Sequence, residues 1–273
     1  MKRLIAITLL LAQPLTAATI VTPPVAPKLL SRIAVAGMLY VDVRASDTCT
    51  STATWTNRGV LGQFQSTGNP KFVGDVADTG IPGVQFNGTG DAYIGPRPVP
   101  ALQGNGARSI EVWVYNPQIA NEETLLLFGD PGRLGGKCAM NYGANLIFGA
   151  CAQQGADYDL GWGESENVPF AAAWHHLVYT YNGDTTCCYY VDGQIRLIKN
   201  LPGPLKIAGD KTILIGAARA NANSPGPSKF WFSGYINCIR VHGGVLTASQ
   251  VATNFAAAPC LSISTAPTPT LLK

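Results

Sequence analysis

Apolar and polar residues alternate in short runs along most of the chain, and each run is closed by Gly, Asn, Pro or Asp. A two-residue period marks a strand with one face on a core. The runs therefore predict strands at Leu39–Val43, Val84–Phe86, Ser109–Tyr115, Thr124–Phe128, Lys211–Ile215 and Phe230–Val241. The pattern is most explicit from Trp174 onward. Trp174–Tyr181 ends at Asn182-Gly183, Cys187–Val191 ends at Asp192-Gly193, and Gln194–Ile198 resumes the alternation. Both dipeptides accept the positive φ of a tight hairpin turn, which predicts a three-stranded meander. Only Thr247–Phe255 reads as helix, because Thr247 with Gln250 makes a capping box and Val251 shares a face with Phe255. Many short strands and one short helix predict an all-β fold, a two-sheet antiparallel β sandwich with one short C-terminal helix.

The ends of the chain read differently. Lys2 and Arg3 give a positive start, Leu4–Leu15 is apolar apart from Thr8 and Gln13, and Thr16-Ala17-Ala18 is a small-residue exit. That order is the layout of a secretory signal peptide, and the apolar stretch, interrupted by Pro14, is shorter than the roughly 20 residues a membrane span needs. The expected organisation is a signal peptide over residues 1–18, a Pro-bearing linker over 19–35, one domain over 36–260 and a disordered tail over 261–273. The mature chain is expected to be secreted or at the cell surface, without a membrane span.

Composition narrows the function classes. Hydrophobic residues make up 47% and charged residues 13% of 273, with 30 Gly and 19 Pro, which excludes a coiled coil, a Glu- and Lys-rich bundle and an intrinsically disordered chain. The formal charge is only +3, and Lys2 and Arg3 lie in the leader. Nucleic acid and anionic lipid are therefore not expected partners. Seven cysteines follow the leader: Cys49, Cys138, Cys151, Cys187, Cys188, Cys238 and Cys260. In an oxidising compartment they point to disulfides, and the odd count leaves at least one unpaired or bonded to another chain. Gly143-Ala144-Asn145 marks a turn between Cys138 and Cys151, which would set these two opposite one another on neighbouring strands and predicts a disulfide. No Cys-x-x-Cys occurs, and His175, His176 and His242 show no ligand spacing.

Several of these segments together resemble a known family. Val84–Gly88, Arg108–Tyr115, Trp174–Gly183 leading to Tyr190-Val191-Asp192-Gly193, and Phe232–Ile236 with Ile239-Arg240-Val241 and Leu246-Thr247 are similar to the laminin-G-like jelly rolls of the concanavalin A-like lectin and glucanase superfamily. The resemblance runs from about Gly37 to Phe255. It implies a jelly roll; for function it implies glycan binding, protein binding, adhesion, accompaniment of a catalytic domain or, in distant relatives, polysaccharide hydrolysis. Fold alone does not choose among these.

The glucanases of that superfamily carry their carboxylates on one strand as Glu-x-Asp-x-(x)-Glu, and no such stretch occurs here. Glu122-Glu123 are adjacent, while Asp157 with Asp159 and Glu164 with Glu166 lie in Gly-bearing loops, so the chain is expected not to be an enzyme. His175 and His176 fall on opposite faces of a strand and suit packing. Ca²⁺ is the cofactor the resemblance admits. Its ligand positions here carry Asn87 and Asn237, with Asp91 near enough to add charge, against the simpler reading of an Asn-Gly turn. Asn87-Gly88-Thr89 is also a glycosylation sequon, and a glycan and a metal on one amide exclude each other.

A sugar site needs an aromatic face and polar groups that read hydroxyls. Asp157, Tyr158, Asp159, Trp162 and Glu164 supply both in one loop, and Arg219, Asn221 and Asn223 form a second polar loop. Trp162 is either a stacking platform or a core ring, whereas Trp113 and Trp174, inside strand patterns, read as core. The expected function is a secreted, non-catalytic recognition or adhesion module that binds a glycan or cell-surface glycoprotein. The alternatives are a glycoside hydrolase of the same fold and a disulfide-linked surface structural protein.

Overall fold

The computed structural model describes residues 33–260, so the expected leader, most of the linker and the tail lie outside the described residues. In chain order the strands are β1 (Leu39–Arg44), β2 (Thr54–Trp55), β3 (Phe64–Thr67), β4 (Lys71–Val73), β5 (Gly83–Asn87), β6 (Ala92–Ile94), β7 (Arg108–Tyr115) and β8 (Thr124–Gly129). They continue with β9 (Lys137–Asn141), β10 (Cys151–Ala152), β11 (Trp174–Tyr181), β12 (Thr186–Val191), β13 (Gln194–Asn200), β14 (Leu214–Ile215) and β15 (Ser233–His242), and helix α1 (Ala248–Ala256) follows. The first sheet runs β13-β12-β11-β7-β15-β5-β4, with β1 also paired to β15, and the second runs β10-β9-β8-β14-β6-β3-β2. All pairings are antiparallel, as a jelly-roll sandwich requires.

The alternation of the central strand shows how the sequence builds this. In β7, Ile110, Val112 and Val114 enter the core between the sheets, joined there by Trp55, Phe64, Phe86, Phe128, Tyr179 and Tyr189. Ser109, Glu111, Trp113 and Tyr115 then face away from that core, yet β7 is buried along its whole length. The cover over this outer face is α1. Phe255 of α1 stacks on Trp113 at 5.7 Å, Trp113 stacks on His176 at 5.1 Å, and Asn254 clasps the backbone of Ala34 through both its amide atoms. The helix starts where its cap predicts. Thr247 Oγ1 accepts the Gln250 N–H at 3.2 Å and Gln250 Oε1 accepts the Thr247 N–H at 2.9 Å.

The meander forms, with one difference at its first turn. Asp192 and Gly193 both have positive φ, 51° and 78°, the two-residue turn that lets Val191 face Gln194. At Asn182-Gly183 the chain instead makes a longer loop, and pairing resumes only with Tyr181 opposite Cys187. There the Asn182 carboxamide oxygen accepts the N–H of Asp184 and of Thr186, which holds the wider turn. The strand predicted at Lys211–Ile215 shrinks to Leu214–Ile215, and β2, β3, β4, β6, β9 and β10 arise from stretches too short or too evenly apolar to show a period.

The seven cysteines stand as free thiols. Cys138 and Cys151 are neighbours across β9 and β10, but the register corrects their expected placement. Cys151 faces Met140 and Ala152 faces Ala139, so Cys138 lies on the diagonal and not opposite. Diagonal partners are about 7–8 Å apart, at the limit of what a disulfide spans without backbone movement. Both thiols are fully buried, whereas Cys49 is exposed. Alkylation of the native protein, followed by mass spectrometry, is therefore expected to label Cys49 well before Cys138 and Cys151; equal rates at these three would contradict the placement.

Candidate functional site

Away from α1, the outer face of the first sheet carries one residue from each of five neighbouring strands in a single line. Trp174 of β11 lies opposite Tyr115 of β7, Tyr115 opposite Tyr235 of β15, Tyr235 opposite Gln85 of β5, and Gln85 opposite Lys71 of β4. With strands about 4.8 Å apart, the row extends about 19 Å across the sheet. The aromatic rings meet edge to face, Tyr115 with Trp174 at 5.8 Å and with Tyr235 at 5.9 Å. The Gln85 amide donates to the Tyr235 hydroxyl at 3.2 Å. Trp174, Tyr235 and Gln85 are half-buried and Lys71 is exposed. The β4–β5 loop is tied to this row, because the Trp174 indole N–H donates to Thr79 Oγ1 at 3.0 Å. Gly83 permits the approach: a Cβ there would lie 2.9 Å from the Tyr235 Cβ and 3.1 Å from a Val76 methyl.

The polar end of the row opens into a pocket of about 210 Å³ lined by Asn69, Lys71, Gln85, Asn87 and Asp91. Buried Asp91 shapes its wall, accepting the backbone N–H of Asn69 at 2.6 Å and of Asn87 at 3.1 Å. Asn87 Oδ1 accepts the N–H groups of Thr89, Gly90 and Asp91. Among the described residues, the side chains of Asn69 and Lys71 and the Asn87 Nδ2 engage no protein group, so their hydrogen-bonding capacity faces the pocket's solvent.

The half of the face under α1 is a buried charge cluster. Glu111 accepts Arg240 Nη1 at 2.8 Å and Asn254 Nδ2 at 2.9 Å, and lies 3.3 Å from His176 Nε2. Arg240 Nε also reaches Asp42 at 3.3 Å. Burial pushes the Glu111 carboxyl up, but His176 and His242, at 3.3 and 3.4 Å, and the Arg240 guanidinium outweigh it and hold the group well below the usual carboxylate range. His175 points to the other face, between Asp192 Oδ2 at 2.7 Å and the Phe170 carbonyl at 3.0 Å. Both histidines are thus committed to separate packing contacts.

The loops read from sequence as sugar sites lie elsewhere, with their largest side chains turned inward. Trp162 is fully buried, its indole N–H donating to the Gly143 carbonyl at 2.8 Å and its ring meeting Tyr189 edge-on at 5.3 Å, which removes it as an exposed platform. Asp159 Oδ1 accepts the N–H groups of Gln153 and Gln154 at 2.7 and 2.9 Å. Asp157 and Glu164 are exposed and Tyr158 is half-buried. Arg219 is also buried, held by Thr212 through its carbonyl at 2.8 Å and its hydroxyl at 2.6 Å, while exposed Asn221 accepts the Asn223 N–H in a local turn. In the first loop Tyr158 packs against the core and is half-buried, and the second loop carries no ring. Trp174, read as core, instead belongs to the outer row, because its parity along β11 is opposite to that of Leu177 and Tyr179.

The three residues read as calcium ligands do not form one set. Ser233 faces Asn87 and Ile236 faces Val84, which puts Asn237 about 13 Å further along the sheet from Asn87. Asn237 is also buried and fully used, donating to the carbonyls of Pro82 and Cys260 and accepting the Cys260 N–H. Both oxygens of Asp91 are taken by backbone donors.

A laminin G family model, described as concanavalin A-like lectin/glucanases superfamily, matches residues 87–252. The chain belongs to the concanavalin A-like lectin/glucanases superfamily. No curated protein matches it. Among solved structures, domain 4 of AbnA, a GH43 extracellular arabinanase from Geobacillus stearothermophilus in complex with arabinotriose, superposes with a TM-score of 0.56 at 16% identity, over 80% of this chain and 98% of that one. The botulinum neurotoxin serotype D binding domain gives 0.52 at 11% identity, over 81% of this chain and 52% of that one. A mutant of Trypanosoma rangeli sialidase displaying trans-sialidase activity gives 0.51 at 17%, over 80% and 32%.

At these identities the solved structures share a fold with this chain and no more. Even so, they correct one expectation. Domain 4 of AbnA belongs to an arabinanase and the third structure is a sialidase, both enzymes, so the expectation that this chain is not an enzyme is withdrawn. No helix among the described residues is long and apolar enough to cross a membrane.

Proposed function

We propose that this superfamily member recognises a carbohydrate, with an oligosaccharide lying along Trp174, Tyr115, Tyr235, Gln85 and Lys71 and ending in the Asn69–Asn87 pocket. The observation that carries this reading is the cross-strand register that aligns three aromatic residues, an amide and an ammonium in one row. Ring edges and faces suit the C–H surfaces of sugars, and the unpaired amides and Lys71 suit their hydroxyls. A row of about 19 Å accommodates several sugar rings, while the pocket fits one. The arabinotriose bound to domain 4 of AbnA supports the same class of ligand on this fold. The leader pattern of residues 1–18 supports export, to where polysaccharides and glycoproteins are met.

Titration calorimetry against arabino-oligosaccharides and a wider glycan panel tests the proposal. Tyr235→Ala and Gln85→Ala are each expected to weaken binding by about 1–3 kcal/mol, the cost of removing an aromatic anchor or its polar neighbour. Asp157→Ala and Asn221→Ala, in loops away from the row, are expected to bind as wild type. Unchanged affinity in the row variants, or loss of affinity in the loop variants, would move the site; no binding to any glycan would end the proposal.

A further inference from the structure

The chain leaves α1 and returns to the first sheet, where Cys260 is gripped by three side chains of β15. The Asn237 carboxamide accepts the Cys260 N–H at 2.8 Å and donates to its carbonyl at 3.0 Å, and Arg240 Nη2 donates to the Cys260 sulfur at 2.8 Å. The third is Cys238, which the register puts on the same face of β15 as Arg240 and beside that same sulfur. A register shift between Ile236 and Cys238 interrupts the alternation of β15 and leaves Tyr235, Cys238 and Arg240 on the outer face. We propose that Cys238 and Cys260 are a redox pair whose disulfide fastens the segment following α1 to β15.

The surroundings also divide the roles of the two sulfurs. The neighbouring Cys238 thiol lowers the Cys260 thiol to about 7, with the guanidinium groups of Arg240, 2.8 Å from the sulfur, and of Arg44 assisting against burial, while the Cys238 thiol is held up. Cys260 is therefore the attacking thiolate, and it is partly exposed where Cys238 is buried. In the first step the Cys260 thiolate attacks a small-molecule or protein disulfide and expels one thiolate of the donor. That thiolate takes the Cys238 proton, and Cys238 attacks Cys260 in the mixed disulfide, expelling the second donor thiolate, which takes up the proton released when Cys260 ionised. Two protein thiols are oxidised to one disulfide and the donor disulfide is reduced to two thiols.

This pair differs from Cys138 and Cys151 in the freedom of its backbone. Those residues are fixed on the diagonal of a ladder and closed to any oxidant, whereas Cys260 lies in irregular chain outside any strand. The Cys238–Cys260 link encloses α1, so it constrains the cover over Glu111, Trp113 and His176 in the unfolded chain as well as the folded one.

The test uses the full chain after equilibration with glutathione disulfide, alkylation of remaining thiols and a non-reducing peptide map. The expected product joins the peptides of Cys238 and Cys260, lighter by two hydrogens and split by reductant. Separate alkylation of both residues, or a bond from either to another cysteine, overturns the proposal. Limited proteolysis gives a second readout: oxidised wild type should resist cleavage after α1 and lose that resistance on reduction, and Cys260→Ser should show no reductant effect. A reductant effect that persists in Cys260→Ser would equally overturn it.

Discussion

Glu111→Ala is expected to cost about 3–5 kcal/mol of folding stability, the range found when one member of a buried ion pair is removed. Glu111 is 2% exposed and Arg240 3%, so neither recovers water when its partner is lost. Without the carboxylate, Arg240 Nη1 loses its acceptor beneath α1, Asn254 Nδ2 keeps only the Ala34 carbonyl, and Asp42 is the one carboxylate left on the guanidinium. The effect should carry a pH signature. A carboxyl held well below its usual value of 4.5 adds stability that is present above that value and drains away as pH falls through the lower, folded-state one. Wild type should therefore lose this contribution only in strong acid, and Glu111→Ala should lack that part of the acid limb. Urea unfolding followed by circular dichroism at neutral and acid pH measures both. A neutral-pH loss under about 1 kcal/mol would show that the cluster is not a buried ionic anchor.

Trp162→Ala is expected to destabilise the fold by about 3–5 kcal/mol, as for other large aromatic truncations in a core. The ring is enclosed, with Tyr189 at its edge and the Gly143 carbonyl on its indole N–H, and a Cβ on Gly149 would come within 2.8 Å of it. Truncation leaves a cavity and an unpaired buried carbonyl. Glycan affinity, measured where both proteins are folded, should not change, since the ring does not reach the outer row. Denaturant unfolding and calorimetric titration on the same samples separate the outcomes. A stable variant that has lost glycan binding would return the sugar site to the Asp157–Glu164 loop.

The sequence by itself determined the elements whose signals are local. Trp174–Tyr181 forms over its whole predicted length because alternation fixes which side chains share a face, Asp192-Gly193 turns because both residues tolerate positive φ, and α1 begins at Thr247 because its cap lies within four residues of chain. The superfamily resemblance was legible for the same reason, since its motifs are strands and turns. What tertiary structure decided is which strands become neighbours and in what register. Lys71, Gln85, Tyr115, Trp174 and Tyr235 are scattered along the chain and meet only through four successive pairings. Period-two patterning gives a side chain's face but not its partner across the sheet, because that partner is set by packing between segments distant in sequence. The same limit misplaced Trp162 and Arg219, whose loops look solvated by composition but fold inward onto Tyr189 and Thr212. It also hid Cys260, which reaches Cys238 only after the chain has passed through α1 and returned to β15.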